Sequence, residues 1–107
     1  LPQNFITETL ATLVFILGIL FIQPADNNLG ALSALPVALL VGGIGFGLGG
    51  PTGWAINPAR DLGPRMMHFL LPMKGKGSSD WSYAPVPVFG PIVGGILAGI
   101  IYTQFLQ

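Results

Sequence analysis

Three apolar stretches alternate with polar or glycine-rich ones along the chain, and their lengths predict its elements. The first, from about residue 4 to residue 23, carries Phe5, Ile6, Leu10, Leu13, Val14, Phe15, Ile16, Leu17, Ile19, Leu20, Phe21 and Ile22. That is enough apolar length for a helix to cross a bilayer. Glu8 interrupts it about one turn from its start. A carboxyl group there either sits at headgroup level or finds donors inside the protein, and backbone N–H groups of an irregular loop are one such source. Pro24-Ala-Asp-Asn-Asn-Leu-Gly30 follows as a turn-rich connector.

The second stretch covers about residues 35–50. It opens on Leu35-Pro36, holds Val37 to Val41 and Ile44, and dissolves into glycine at positions 42, 43, 45, 47, 49 and 50. Glycine this dense serves close helix approach, expected for Gly42 and Gly43, or a loop lining a cavity, expected from Gly49 onward. The third stretch, about residues 86–106, contains Gly90, Gly94, Gly95 and Gly99, two small-xxx-small pairs that predict a tight helix-packing face. Before it, Met73 to Tyr83 form a polar loop with Lys74, Lys76, Ser78, Ser79 and Asp80; Trp81 and Tyr83 suit a membrane interface.

Between the second and third stretches lies Gly49-Gly-Pro-Thr-Gly-Trp-Ala-Ile-Asn-Pro-Ala-Arg-Asp-Leu-Gly-Pro-Arg65, an irregular run that turns into a helix. Asn57 suits the N-cap and Pro58 the first helical position, where a missing N–H is no loss. The helix then runs to Leu70 and stops at Pro72. At roughly 21 Å it is too short for a hydrocarbon core of about 30 Å, so it reads as a half-helix. Arg60 stands near its positive end, where a carboxylate would be expected. An ionisable residue at membrane depth points to function, while a snorkelling or salt-bridged arginine would be structural. Asp61 and Arg65, four apart, can pair on one helix face. His68 reads as an interface residue, and Met66 and Met67 as packing residues.

Composition settles the class. Hydrophobic residues make up 51% of the chain and charged ones 7%, against roughly 25% charge in a soluble domain. Mean hydropathy is +0.72. The formal net charge is zero and no basic run occurs, which argues against a nucleic-acid partner. The absence of cysteine excludes disulfides and thiolate metal sites. The chain opens at Leu1 with no cleavable signal in view, so it is expected to be a piece of something longer. The expected fold is an all-α membrane protein with three transmembrane helices and one re-entrant loop and half-helix at about 49–71.

A half-helix whose positive end faces the membrane interior, preceded by free carbonyls, is how channels and transporters build polar sites in lipid. Carbonyls between Gly50 and Ala55 would accept hydrogen bonds, Asn57 and Arg60 would donate, and Trp54 would offer an apolar wall. Such a path suits a small neutral solute bearing hydroxyls, and its positive end repels cations and protons. An ion-coupled secondary transporter would want a titratable or ion-coordinating cluster, for which Asp61 alone is thin support. A membrane enzyme would want a nucleophile–base or metal-ligand set, which the sequence lacks.

Asn57-Pro58-Ala59-Arg60 resembles the NPA-Arg signature of the major intrinsic protein family, the aquaporins and glycerol facilitators. The glycine-rich loop before it, the half-helix after it and Phe89-Gly90-Pro91 in the next span agree with that context. The resemblance covers essentially the whole chain and corresponds to the second half of a family member, built of two inverted halves. Asp61 directly after Arg60, Arg65 four positions on, and Pro87-Val88 resemble the glycerol-conducting branch.

The resemblance implies one inverted repeat of the aquaporin fold, with spans at about 4–23, 35–50 and 86–106. It implies a passive channel for glycerol or other small polyols and some water, with no cofactor and no covalent chemistry. The N-terminal half of the same channel would be a partner, in a homotetramer surrounded by lipid bilayer, multi-pass in the cell (plasma or inner) membrane. A water-selective aquaporin is the nearest alternative; it would favour histidine at position 45, where Gly45 stands. Gly45, Trp54 and Arg60 fall at filter positions, and an open Gly45 would widen the constriction. Trp54 stands where glycerol facilitators often carry phenylalanine. Asn57, Pro58 and Ala59 belong to the central signature, and carbonyls of Pro51, Thr52, Gly53 and Trp54 would line the pore. Glu8 would hold the loop, with Asp61 and Arg65 as further structural support. The resemblance places the Lys74–Lys76 loop outside, whereas the positive-inside rule alone would place it in the cytoplasm. The expectation follows the resemblance.

Overall fold

The computed structural model describes residues 2–22, 32 and 34–106. Among them lie four α-helices and no strand: α1 (Pro2–Ile22), α2 (Leu35–Leu48), α3 (Pro58–Leu70) and α4 (Pro85–Ile101), the last continued by a π-type turn at Tyr102–Leu106. The connector expected at 24–30 lies outside the described residues.

α1 and the apolar segment Pro85–Phe105 each have 21 residues. At ~1.5 Å per residue each matches a hydrocarbon core of about 30 Å. α2 has 14 residues, roughly 21 Å. Two helices of bilayer length are therefore described, where three spans were expected. The run of glycines that thins out α2 explains its early end. It closes on the Gly49 cap, and Gly50, preceding Pro51, is disfavoured from helical backbone.

The main contact of the fold is between α1 and α4. Gly90, Gly94 and Ala98 are buried along one side of α4, four residues apart and hence on one face. A Cβ at Gly94 would stand 2.9 Å from Thr12 Cβ and 3.1 Å from Leu13 N, and one at Gly90 would stand 3.0 Å from Glu8 Cβ. The two backbones meet closely because those side chains are missing. Gly95 and Gly99 do not share this face, and nothing described lies within 4 Å of where their Cβ atoms would be. Each sits about 100° round the helix from its neighbour, enough to carry it off the interface. The expected second small-residue pair is thus not a packing contact within the described residues.

Gly42 and Gly43 are open in the same way, so the close approach expected there is not made among the described residues. α2 instead meets α1 where Gly18 receives Leu40; a Cβ on Gly18 would stand 2.6 Å from Leu40 Cδ2. The small apolar core nearby consists of Ala11, Ile44 and Ile56, with Phe15, Leu40 and Trp54 packed against it. α3 lies against α4 and buries none of its own residues. Its end at Leu70 follows from Leu71, which precedes Pro72 and is extended at φ −75° and ψ 134°.

Candidate functional site

The loop between α2 and α3 has little hydrogen bonding of its own, and three anchors hold it. Gly49 N–H donates to Gly45 O at 3.1 Å and Gly53 N–H to Gly49 O at 2.7 Å, carrying the helical pattern past the end of α2. Glu8, 1% exposed, takes the second anchor from α1. Its Oε1 accepts from Thr52 Oγ1 at 2.5 Å and from Ala55 N at 3.1 Å, and its Oε2 accepts from Ile56 N at 2.8 Å. Ile56 is the third, its side chain buried in the core between α1 and α2.

These anchors support an unusual backbone. Trp54 and Ile56 have φ of 42° and 47°, left-handed values that a bulky or β-branched residue avoids. Each costs on the order of 1–3 kcal/mol and persists only where its surroundings impose it. Glu8 supplies that constraint at Ala55 and Ile56. With these N–H groups turned to Glu8, the loop keeps free acceptors: the carbonyls of Pro51, Thr52 and Gly53 accept no hydrogen bond from another described residue. The Trp54 carbonyl accepts from Arg60 Nη1 at 3.2 Å.

Asn57, extended at φ −159° and ψ 126°, caps α3 through Oδ1, which accepts from Ala59 N at 2.8 Å. The cap uses the carbonyl end of the amide and leaves its NH₂ group to donate elsewhere. Pro58 takes the first helical position. Arg60, exposed, is held by the Trp54 carbonyl, which answers why a cation sits beside the positive helix end. A guanidinium has five N–H donors, so this single bond leaves most of them available. Pro64, inside α3, has no N–H for the Arg60 carbonyl.

Trp54 and Gly45 are brought together directly. A Cβ at Gly45 would stand 2.7 Å from both Cε2 and Cζ2 of the indole. Gly45 therefore does not stand open as expected; the ring fills the room that its missing side chain leaves. Trp54 Nε1 is buried without a hydrogen-bond partner among the described residues, a cost of about 1–3 kcal/mol. Beside the ring lies an apolar cleft of about 240 Å³ lined by Gly42, Gly45, Phe46 and Trp54. Arg60 instead borders a polar cleft of about 400 Å³ with Arg65, His68, Ser79 and Asp80.

Asp61 and Arg65 pair through two bonds, Nε to Oδ2 at 2.8 Å and Nη2 to Oδ1 at 2.9 Å. Arg65 also donates to the carbonyls of Ser79 and Asp80, tying the 71–84 loop to α3. Sequence reasoning missed Ile56, the Thr52 hydroxyl and Lys76. Lys76 Nζ donates to the carbonyls of His68, Phe69 and Leu71 at 2.9, 3.0 and 2.7 Å, capping the negative end of α3. The aliphatic residue just before Asn57 and the lysine a few residues past the helix were the available signals. His68 meets Ser79 Oγ and the Lys76 carbonyl.

The model of the family described as "Major intrinsic protein" matches residues 1–102. A "Probable glycerol uptake facilitator protein" of Thermotoga maritima is 52% identical over 100 residues, 94% of this chain and 42% of that protein. The "Glycerol uptake facilitator protein" of Bacillus subtilis is 54% identical over 100 residues, 94% of this chain and 36% of its own length. A "D/L-lactic acid transporter" of Lactiplantibacillus plantarum is 48% identical over 99 residues, 92% of this chain and 41% of that protein. The chain thus spans less than half the length of these relatives. No solved structure matches it at a significant level. With a family signature across nearly all its residues and relatives at about half identity, the chain belongs to the major intrinsic protein family.

Proposed function

We propose that this chain is the C-terminal half of a passive channel for glycerol and similar small neutral solutes, with some water, that excludes ions and protons. The observation that carries the reading is the loop held by Glu8: carbonyls at Pro51, Thr52 and Gly53 accept nothing from the described residues, and the chain leads on from them to the donors Asn57 and Arg60, the latter bonded to the Trp54 carbonyl. A polyol needs acceptors for its hydroxyl protons and donors for its oxygens, and its C–H side tolerates an apolar wall such as Trp54. Gly45, Trp54 and Arg60 form the filter in this reading. Asn57, Pro58 and Ala59 form the central signature, and the Trp54 carbonyl completes the acceptor row. Glu8, Asp61 and Arg65 are structural supports.

The same reading gives the architecture. α1, α2 with the residues just after it, and α4 are three spans of one inverted repeat, at about 4–23, 35–50 and 86–106. The loop and α3, at about 49–71, re-enter from the side of the 71–84 loop. Exposed Phe46, Leu39 and Phe89 then face lipid, the N-terminal half of the channel or neighbouring copies in a homotetramer. The setting is the cell (plasma or inner) membrane.

Stopped-flow permeability of proteoliposomes holding the full-length channel polypeptide tests this. Gradient-driven glycerol uptake without ion coupling is expected. A hydrogen bond to a charged group is worth about 1.5–3 kcal/mol, so Arg60→Ala is expected to lower selectivity for glycerol over a hydroxyl-poor solute of similar size by about tenfold or more. Water flux with glycerol excluded would move the assignment to a water channel. Lactic acid, named for one relative, belongs in the same solute series.

A further inference from the structure

Gly45, Gly49 and Gly53 recur at intervals of four, and their backbones are linked by the two hydrogen bonds that prolong α2. The Trp54 indole folds back onto this extension. At Gly45 an added Cβ would meet the five-membered and six-membered rings where they fuse. At Gly49 it would collide with Trp54 Cε3, stand 3.1 Å from Cδ2, and crowd the Gly45 carbonyl. Gly49 is buried, and its φ of −82° and ψ of −14° are open to any residue. Glycine is not needed there for backbone freedom. It supplies room.

Trp54's backbone has little freedom to follow a ring that loses its seat. Gly53 N–H is held by Gly49 O, Ala55 N–H by Glu8, and the Trp54 carbonyl by Arg60. A displaced indole can therefore turn only about its own side-chain bonds, away from α2. We propose that Gly49 determines solute specificity by setting how deeply the Trp54 indole is seated on α2. Gly49 is a positioning residue that acts through Trp54. This rests on the channel reading above and extends it to a position outside the filter.

The test uses the full-length channel polypeptide with Gly49→Ala, Trp54→Leu and both, beside Gly47→Ala, whose added Cβ meets nothing described. A single methylene in a pocket discriminates by about tenfold or more, so Gly49→Ala should lower the glycerol-to-water permeability ratio by about that factor. In the Trp54→Leu background the same substitution should change the ratio by less than about twofold, because non-additivity marks residues in contact. An equal fall in both backgrounds, or no fall in either, overturns the proposal. Acrylamide quenching assigned to Trp54, by difference from Trp54→Leu protein, should rise in Gly49→Ala; unchanged quenching overturns it even if no solute moves. If the unsubstituted protein passes neither glycerol nor water, the channel reading fails while quenching still decides the seat. Should Gly49→Ala accumulate only when Trp54→Leu is present, that rescue supports the seat, and loss of folded protein in both backgrounds counts against it.

Discussion

The two sides of this molecule are held together by different physics. Along α1 and α4 the backbones touch through Gly90, Gly94 and Ala98, a seam without room for a side chain. α3, which carries Asn57 and Arg60, buries none of its residues and is strung between polar ties at both ends. Glu8 and Asn57 fix its start, and Arg65 and Lys76 bind its later turns to the 71–84 loop. Close packing makes the scaffold stiff; directed hydrogen bonds aim the site. The strained Trp54 and Ile56 lie where the two meet, on a loop gripped by a carboxyl group that belongs to the packed side.

Breaking that junction should have the largest effect. Glu8→Ala leaves the Ala55 and Ile56 N–H groups without an acceptor, at about 1–3 kcal/mol each. The strain at positions 54 and 56 is then no longer opposed, so solute flux should collapse along with the denaturation midpoint. A variant with normal flux and midpoint would mean that Ile56 packing and the Gly45–Gly49–Gly53 backbone bonds hold the loop without Glu8.

The seam itself should come next. Gly94→Val forces a branched side chain against Thr12 and Leu13, an overpacking cost of about 1–3 kcal/mol, while Gly95→Val, one residue on, should stay within about 0.5 kcal/mol. Equal losses in a denaturation series would show that Gly95 also meets a surface, one formed outside the described residues. The smallest effect belongs to the polar ties of α3. Lys76→Met removes a helix-end cation, worth about 0.3–1 kcal/mol, and should speed proteolytic cleavage of the 71–84 loop without moving the midpoint much.

Sequence reached the parts of this architecture whose partners are close along the chain. The Asn57 cap acts over two residues and the Asp61–Arg65 pair over four, so spacing alone was enough to place both contacts. Glycine was harder, because its density announces close approach but not which face is approached. Gly94 lies in the seam and Gly95 does not, although the two are adjacent. The Lys76 cap depends on the path of a loop that turns back on its own helix, and periodicity carries no record of that path. Trp54 was legible as an apolar wall, but its seat on Gly45 and Gly49 depends on backbone angles that no composition rule supplies. Ile56 was lost for the opposite reason: an aliphatic residue in a glycine-rich loop, two positions from Trp54, looks incidental until the core beneath it is seen.

Lys76 also changes the electrical character of α3. An isolated helix carries about half a positive elementary charge at its start and half a negative one at its end, and at a distance the two largely cancel. The ammonium, bound to three carbonyls at the far end, quenches the negative member of that pair. Seen from Asn57, the short helix then acts as an unbalanced positive pole. A monopole's field decays more slowly with distance than a dipole's. A cation approaching Asn57 would therefore be repelled from farther away, and an uncharged molecule would not.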